Sequence, residues 1–201
     1  MSAILAPTHQ LIEFESFGQA YLDRLRTASR LIPIDSVSLL AEELLDCWRT
    51  RRQVFVFGNG GSGANATHLA NDLVYGISKT LGSGIRIQSL SANASVVTCL
   101  ANDEGYDSVF SHQLAVLASP GDVVIALSGS GNSPNIIKAL THARSQRLRS
   151  FAILGFSGGR AAQLADVPIH VPINDMQISE DTQQIIGHMV AQWLYMNREY
   201  S

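Results

Sequence analysis

The chain has 201 residues, of which 46% are hydrophobic and 15% are charged, and its formal net charge is −3. This apolar content predicts one well-packed domain over residues 1–201 that also buries surface in an oligomer, and it excludes a largely disordered chain. The slightly negative charge excludes an electrostatic nucleic-acid binder, and the lack of a signal peptide or of an apolar run of about eighteen residues predicts a cytoplasmic protein without a membrane span.

Two amphipathic helices are predicted first, at residues 9–31 and 35–51, the second capped by Asp35 or Ser36. Both precede any strand, so we expect an N-terminal helical hairpin that packs on the rest of the domain or on a partner subunit. Cys47 and Cys99 fall in apolar helical patterns, which predicts two buried thiols rather than a disulfide.

From residue 54 onward the pattern is a repeated order of buried strand, loop and helix. The predicted strands cover residues 54–57, 85–87, 123–127, 150–154 and 168–171. Helices are predicted from the first loop to about residue 79, at 93–101, at 107–118, from the second loop to about 146, and at 179–199. Five short apolar strands separated by helices predict an α/β three-layer sandwich around a mostly parallel five-stranded sheet.

Two loops rich in glycine and serine follow predicted strands, GNGGS at 58–62 and SGSGNS at 128–133. Open α/β sheets bind ligands at the carboxyl ends of strands, and the helix N-termini there present N–H groups that suit a phosphate. Neither loop contains Lys or Arg, which favours a sugar phosphate over a nucleoside triphosphate. The alternative is two ordinary strand-to-helix turns. The GxGxxG pattern of the first loop is not followed by an acidic residue between 85 and 91, which argues against a dinucleotide site.

Two polar patterns are candidates for the chemistry. His68 and Asp72 lie four residues apart on the helix after the first loop, so they share a face, about 10 Å beyond the presumed phosphate loop. On the last helix Glu180, Gln184 and His188 form a stripe at every fourth residue, which is equally consistent with a polar face along a solvent channel.

The strand–GNGGS–helix unit at 54–75, the strand–SGSGNS–helix unit at 123–143 and the two leading helices resemble the sugar isomerase (SIS) fold. The closer resemblance is to the phosphoheptose isomerases, a group that also includes non-catalytic relatives that bind the replication initiator DnaA. This resemblance implies an enzyme that isomerises sedoheptulose 7-phosphate to an aldoheptose 7-phosphate through an enediol. The alternatives are a DnaA-binding scaffold and an isomerase of another sugar phosphate.

The resemblance also implies site residues. The implied substrate contacts are Asn59, Gly60, Gly61, Ser62, Asn102, Asp103, Ser128, Ser130 and Ser133, and position alone suggests Gln177 as a further one. The implied zinc ligands are His68, Asp72, Glu180 and His188, with Asp72 as the catalytic base and His188 as the acid. Asp72 stands where the family has Glu, one methylene longer, and Glu180 stands where the family has Gln.

The spacing on the last helix raises a geometric problem. If Glu180 and His188 are both helical, they lie about 12 Å apart along the axis, whereas zinc ligands lie about 2 Å from the ion. Either Glu180 precedes the helix, or the two ligands come from different subunits. We favour the second interpretation, which predicts a homotetramer with sites at subunit interfaces.

Overall fold

The computed structural model describes residues 11–79 and 83–200. Its helices are α1 (Phe14–Ser29), α2 (Ile34–Thr50), α3 (Gly60–Asn71), α4 (Ala94–Asp103), α5 (Val109–Leu117), α6 (Pro134–Ser145), α7 (Ala161–Leu164) and α8 (Met176–Met196). Its strands are β1 (Val54–Gly58), β2 (Ile87–Ser89), β3 (Val123–Ser128), β4 (Arg149–Leu154) and β5 (Val167–His170). They form one sheet of order β2-β1-β3-β4-β5, and every pairing in it is parallel.

The sheet is covered on both faces, as a parallel sheet of continuous apolar strands requires. Alternate residues of a strand point to opposite faces. Val54 and Val56 of β1 therefore pack into the cluster that holds α2, α3 and α8. Phe55 and Phe57 pack into the cluster that holds α5 and α6. These two clusters confirm the predicted three-layer α/β sandwich.

The predicted pair of leading helices is present, and its second member is a core element. α2 contacts α8 and β5 and buries the side chains of Leu40, Leu44 and Trp48. The Trp48 indole N–H donates to the Ser83 carbonyl over 2.9 Å, so the ring is buried with its polar atom satisfied. Burial of these three side chains stabilises the domain by about 1.5–3 kcal/mol each.

α1 is attached to the domain by polar contacts with α8 and by packing of Tyr21, Leu25 and Ala28 against the core. The Tyr21 hydroxyl donates to Asp181 over 2.6 Å, and Arg24 lies 3.3 Å from the Asp175 carboxylate. The hydrogen bond to Asp181 raises the pKa of Tyr21 to about 12. Ala28 is its one buried residue, and α1 exposes the large apolar side chains of Phe14, Phe17 and Leu22.

Some boundaries differ from the predicted ones for local reasons. β2 begins at Ile87 rather than at 85, because the Ile85 amide bonds to the Leu73 carbonyl instead of to the sheet. α2 begins at Ile34, with Pro33 as its cap instead of Asp35 or Ser36. Residues 9 and 10 of the first predicted helix lie outside the described residues.

The helix after the first loop changes geometry at Asp72. α3 ends at Asn71, and residues Asp72–Gly76 form a π-helical turn in which the Ile77 amide donates to the Asp72 carbonyl over 3.1 Å. Such turns contain one residue more than an α-helical turn and are frequent at functional sites.

The prediction for the two thiols is confirmed for one and wrong for the other. Cys47 is buried in α2, and burial raises its pKa to about 12. Cys99 is exposed, with its Sγ 3.5 Å from Asp103 Oδ2. α4 turns Val97 and Leu100 toward the core, and Cys99 falls on the opposite face. In residues 11–79 and 83–200, none of the helices is long and apolar enough to cross a membrane.

Candidate active site

The strand order opens a crevice between the carboxyl ends of β1 and β3. The chain leaves β1 toward β2 on one side and leaves β3 toward β4 on the other, which is the arrangement at which open α/β sheets bind ligands. Gly58 of β1 pairs with Leu127 of β3. The loops at 58–62 and 128–133 therefore lie next to each other at this crevice.

In the first loop, two side chains that were predicted to contact substrate are held by protein partners. The Asn59 amide exchanges two hydrogen bonds with the Asn135 amide. The buried Ser62 hydroxyl accepts from Gln183 Nε2 over 3.0 Å. Gly60 has a φ of 52°, in the left-handed region that favours glycine. The first turn of α3 thus faces the crevice mainly with backbone N–H groups.

In the second loop, the three serine hydroxyls differ in their hydrogen bonds to the protein. Ser128 Oγ accepts from the Gly131 amide over 3.0 Å, and Ser130 Oγ accepts from the Asn132 amide over 3.3 Å. Ser133 caps α6, and within the described residues its hydroxyl makes no hydrogen bond. In the first turn of α6, Pro134 has no N–H and the Ile136 N–H donates to Asn135 Oδ1 over 3.0 Å, so the Asn135 N–H and the Ser133 hydroxyl remain available to an anion. The Ser128 and Ser130 hydroxyls only accept in these contacts and keep an O–H to donate.

The other predicted substrate contacts are spread over two elements. Asn102 and Asp103 end α4, are exposed, and bond to each other over 2.7 Å. Gln177 is exposed in the first turn of α8. That turn adjoins the second loop, because a Cβ on Gly129 would lie 2.7 Å from the Met176 sulfur. Gln177 is thus near the crevice, whereas among the described residues no hydrogen bond or ion pair joins the Asn102–Asp103 pair to either loop.

His68, Asp72 and His188 converge at the other end of α3. The two Nε2 atoms lie 2.9 Å apart, and Asp72 Oδ2 lies 3.3 Å from the first imidazole and 3.7 Å from the second. The side chains are 44%, 26% and 51% exposed, so the cluster opens to solvent. Asp72 and His188 also border a cavity of about 470 Å³, which is further lined by Gly76, Lys79, Gln192 and Tyr195.

Glu180, the fourth predicted ligand, is not in this cluster. α8 begins at Met176 behind an Asp175 cap, so Glu180 is helical and the interpretation that it precedes the helix is wrong. Its carboxylate lies against Gly61, where any side-chain Cβ would collide with it. Glu180 therefore places a negative charge at the N-terminus of α3, which is electrostatically favourable, and about 12 Å along α8 from His188.

α3 and α8 run side by side in the same direction, and their contacts explain why the histidines meet. At the loop end, Gln183 donates to Ser62, and Asn65 Nδ2 donates to Gln183 Oε1 over 3.0 Å. One to two turns further along each helix, His68 faces His188. The buried amide of Gln183 thus sets the register of the two helices that carry the cluster.

Comparison with known proteins identifies the family. The family model for the SIS domain matches residues 16–155. The phosphoheptose isomerase of Trichlorobacter lovleyi is 39% identical over 155 residues, which are 77% of this chain and 79% of that protein. The chain belongs to the SIS-domain family, in its phosphoheptose isomerase group. The probable phosphoheptose isomerase of Thermoplasma volcanium is a further relative, 32% identical over 85% of this chain and 87% of its own length.

Solved structures agree with this SIS-domain assignment. The phosphoheptose isomerase GmhA from Neisseria gonorrhoeae superposes with a TM-score of 0.83 at 27% identity, over 90% of this chain and 98% of that chain. A phosphoheptose isomerase from Francisella tularensis superposes with a TM-score of 0.86 over 92% and 100%, and at 21% identity it supports the fold alone. The predicted family and fold are confirmed.

Sequence reasoning missed three polar residues of this SIS domain that organise the site. They are Asn135 after the second loop, Gln183 on α8, and Tyr106, whose hydroxyl donates to Asn59 Oδ1 over 3.0 Å. Gln183 did carry a signal, since it lies among the periodic apolar positions of α8, where a polar residue needs a buried partner. Asn135 and Tyr106 are set apart by no pattern in the sequence.

Proposed function

We propose that the protein is a phosphoheptose isomerase that interconverts sedoheptulose 7-phosphate and an aldoheptose 7-phosphate. The observation that carries the proposal is the convergence of His68, Asp72 and His188 on a helix pair whose other end adjoins the two loops rich in glycine and serine. Relatives that are 39% and 32% identical bear this name, which supports the same reaction here. A DnaA-binding scaffold is not favoured, because it has no use for three converging proton donors and acceptors.

The reaction moves one proton between neighbouring carbons through an enediol, so it needs a base, an acid and a fixed substrate. In this proposal Asp72 takes the proton from C1 of the ketose and returns it to C2. His188 donates a proton to the C2 oxygen and accepts one from the C1 hydroxyl. The imidazole of His68, 2.9 Å from that of His188, holds it in place. The N-terminal turns of α3 and α6, with Ser133, hold the phosphate.

The same three residues fit a zinc ion. Four ligand atoms about 2.0 Å from a tetrahedral ion lie about 3.3 Å from one another. The three distances among His68, Asp72 and His188 are 2.9, 3.3 and 3.7 Å. We propose these residues as zinc ligands. When bound, the ion supplies polarisation of the substrate carbonyl. Asp72 Oδ2 is the carboxylate oxygen that lies near both imidazoles, so Oδ1 would serve the proton transfer. With its Nε2 bound to the ion, His188 would act as the acid through Nδ1.

The fourth ligand argues for an assembly. We propose a homotetramer in which Glu180 of a second copy completes the site, because the helical rise separates Glu180 from His188 within one chain. The exposed large apolar side chains of α1 support this assembly, since exposed apolar surface on one helix is typical of a protein–protein contact. Phe14 is 82% exposed and Leu22 is 55% exposed.

Turnover by the purified full-length protein tests the function. We expect NMR to show conversion of sedoheptulose 7-phosphate, and His188→Ala to lower kcat by at least about a hundredfold. His112→Ala, which changes an exposed histidine on α5, is the matched control and is expected to retain activity. Absence of product from folded wild-type protein, with and without zinc, would overturn the proposal. Turnover only of pentose or hexose phosphates would assign another substrate.

Mixing of subunits tests the shared site. Glu180→Ala and His68→Ala are each expected to be inactive, and a randomly mixed oligomer to regain about a quarter of the wild-type activity if the two residues meet across an interface. No recovery in a verified mixed oligomer would show that both residues act within one chain.

A further inference from the structure

A reciprocal pair of amide hydrogen bonds spans the crevice between the two loops. Asn59 Nδ2 donates to Asn135 Oδ1 over 2.9 Å, and Asn135 Nδ2 donates to Asn59 Oδ1 over 2.8 Å. Asn59 belongs to the first loop and precedes α3, whereas Asn135 lies in the first turn of α6, just after the second loop. Asn135 is 1% exposed, so substrate in the crevice has almost no access to it.

The pair uses Asn59 in an unusual way. An Asn in the N-cap position normally accepts a hydrogen bond from its own helix, and Asn59 makes no such bond. Its side-chain oxygen instead accepts from both Asn135 and Tyr106, which fills both lone pairs. One N–H of its amide is bonded to Asn135, which leaves only the other N–H for substrate. The main role of the Asn59 side chain is therefore to connect the first loop to α6.

We infer that Asn135 is a positioning residue for the substrate, because through Asn59 it fixes the first turns of α3 and α6 at one separation. This inference rests on the proposed function, in which both turns bind one sugar phosphate. The first turn of α3 offers its backbone N–H groups, and that of α6 offers the Asn135 N–H beside the Ser133 hydroxyl. These donors bind one anion only when they point at the same atom group. A misplacement of about 1 Å between binding groups lowers catalytic efficiency up to about a hundredfold.

Steady-state kinetics of the full-length enzyme tests this role. Asn135→Leu removes the amide at nearly constant volume and is expected to raise KM for sedoheptulose 7-phosphate about tenfold, with kcat changed less than about threefold. Gln113→Leu is the matched control, because Gln113 is also a buried helical amide, bonded to carbonyls of Leu90 and Val109 away from the loops. Its KM is expected to stay at the wild-type value despite a similar loss of stability.

A double-mutant cycle separates the bridge from general weakening of the loops. Asn59→Leu and Asn135→Leu are each expected to raise KM, and the double variant is expected to raise it by less than the product of the two factors, because both substitutions remove the same pair of hydrogen bonds. Additive effects of the two substitutions would overturn the inference. An unchanged KM in Asn135→Leu, or an equal increase in Gln113→Leu, would also overturn it.

Binding of inorganic phosphate, measured calorimetrically, makes the test independent of turnover. We expect Asn135→Leu to bind phosphate at least about fivefold more weakly than the wild-type protein. Wild-type protein that binds phosphate without isomerising the sugar would overturn the proposed function but leave this comparison intact. Equal phosphate affinity in the two proteins would overturn the inference alone, and no phosphate binding by wild-type protein would overturn both.

Discussion

Gly60 and Gly131 offer a matched pair of substitutions, one in each loop. Both have a left-handed backbone, with φ of 52° and 64°. A Cβ on Gly60 would meet no atom within 4 Å, whereas a Cβ on Gly131 would lie 2.6 Å from the Gly158 carbonyl carbon and 3.1 Å from the Gly159 nitrogen. Substitution of each by Ala therefore separates the conformational preference of glycine from the need for space.

The two substitutions are expected to lower the free energy of unfolding by different amounts, because only Gly131→Ala also creates a steric overlap. Placing Ala in the left-handed region costs about 1–2 kcal/mol, and Gly60→Ala incurs only this cost. In Gly131→Ala the new Cβ would also overlap the Gly158 carbonyl oxygen, so the two backbones must separate by more than about 1 Å to reach ordinary contact distance. This shift breaks the 2.9 Å hydrogen bond from the Ala161 amide to the Gly131 carbonyl, which adds about 1 kcal/mol or more. We expect a total of at least about 3 kcal/mol for Gly131→Ala.

Thermal unfolding at one fixed protein concentration measures the difference. In a chain of this size 1 kcal/mol lowers Tm by about 2–4 °C, so we expect a drop of about 2–8 °C for Gly60→Ala and of at least about 6–12 °C for Gly131→Ala. Because the displaced backbone belongs to the second loop, Gly131→Ala is expected also to weaken phosphate binding. Equal Tm values for the two variants would refute the reasoning, since they would show that the segment at Gly158 yields at no cost.

Three further outcomes follow from single contacts. Gln183→Leu removes the hydrogen bonds of Ser62 and Asn65 to Gln183 at the α3–α8 contact, and it is expected to lower the free energy of unfolding in urea by about 1–3 kcal/mol. Tyr21→Phe is expected to destabilise the protein at pH 8, and by progressively less as the pH rises from about 10 to about 12, because the ionised hydroxyl of the wild-type protein no longer donates to Asp181. Urea unfolding of the variant and the wild-type protein across that pH range measures this difference. At pH 8 a thiol reagent is expected to modify Cys99 in the native protein and Cys47 only after unfolding, counted by absorbance of the released chromophore.

Each of these three expectations has a result that contradicts it. Unchanged stability of Gln183→Leu would mean that the two helices keep their register without the amide. A constant difference between Tyr21→Phe and wild type up to pH 12 would mean that the hydroxyl contributes by packing alone. Two rapidly reacting thiols in the native protein, or rapid reaction of the Cys99→Ser variant, would contradict the buried position of Cys47.

The sequence predicted correctly those features that depend only on residues close together in the chain. The continuous apolar run at Val54 to Phe57 marked a strand that is buried on both faces, and the spacing of His68 and Asp72 placed them on one side of α3. The approach of His188 depends instead on how α8 packs on α3, which no spacing within either helix specifies. The resemblance to a family supplied that pairing in advance.

The wrong and missed features have the same origin. Cys99 follows the apolar pattern of α4 in composition, but α4 is a surface helix without fully buried residues, so the residues between its inward positions reach solvent. Asn135 is polar in sequence and buried in structure, because its partner Asn59 lies 76 residues away. Such pairs are visible only when two loops are brought to the same sheet edge.

The π-helical turn after α3 separates the helix that carries His68 and Asp72 from the segment that leads to β2. His68 and Asp72 are separated by ordinary α-helical geometry, because the extra residue of the wider turn comes only after Asp72. An insertion or deletion within Leu73–Gly76 would rotate everything that follows by about 100° per residue, yet it would leave the imidazole and the carboxylate on one face. Changes in the length or direction of the connection to β2 can therefore be absorbed in this turn without moving His68 relative to Asp72.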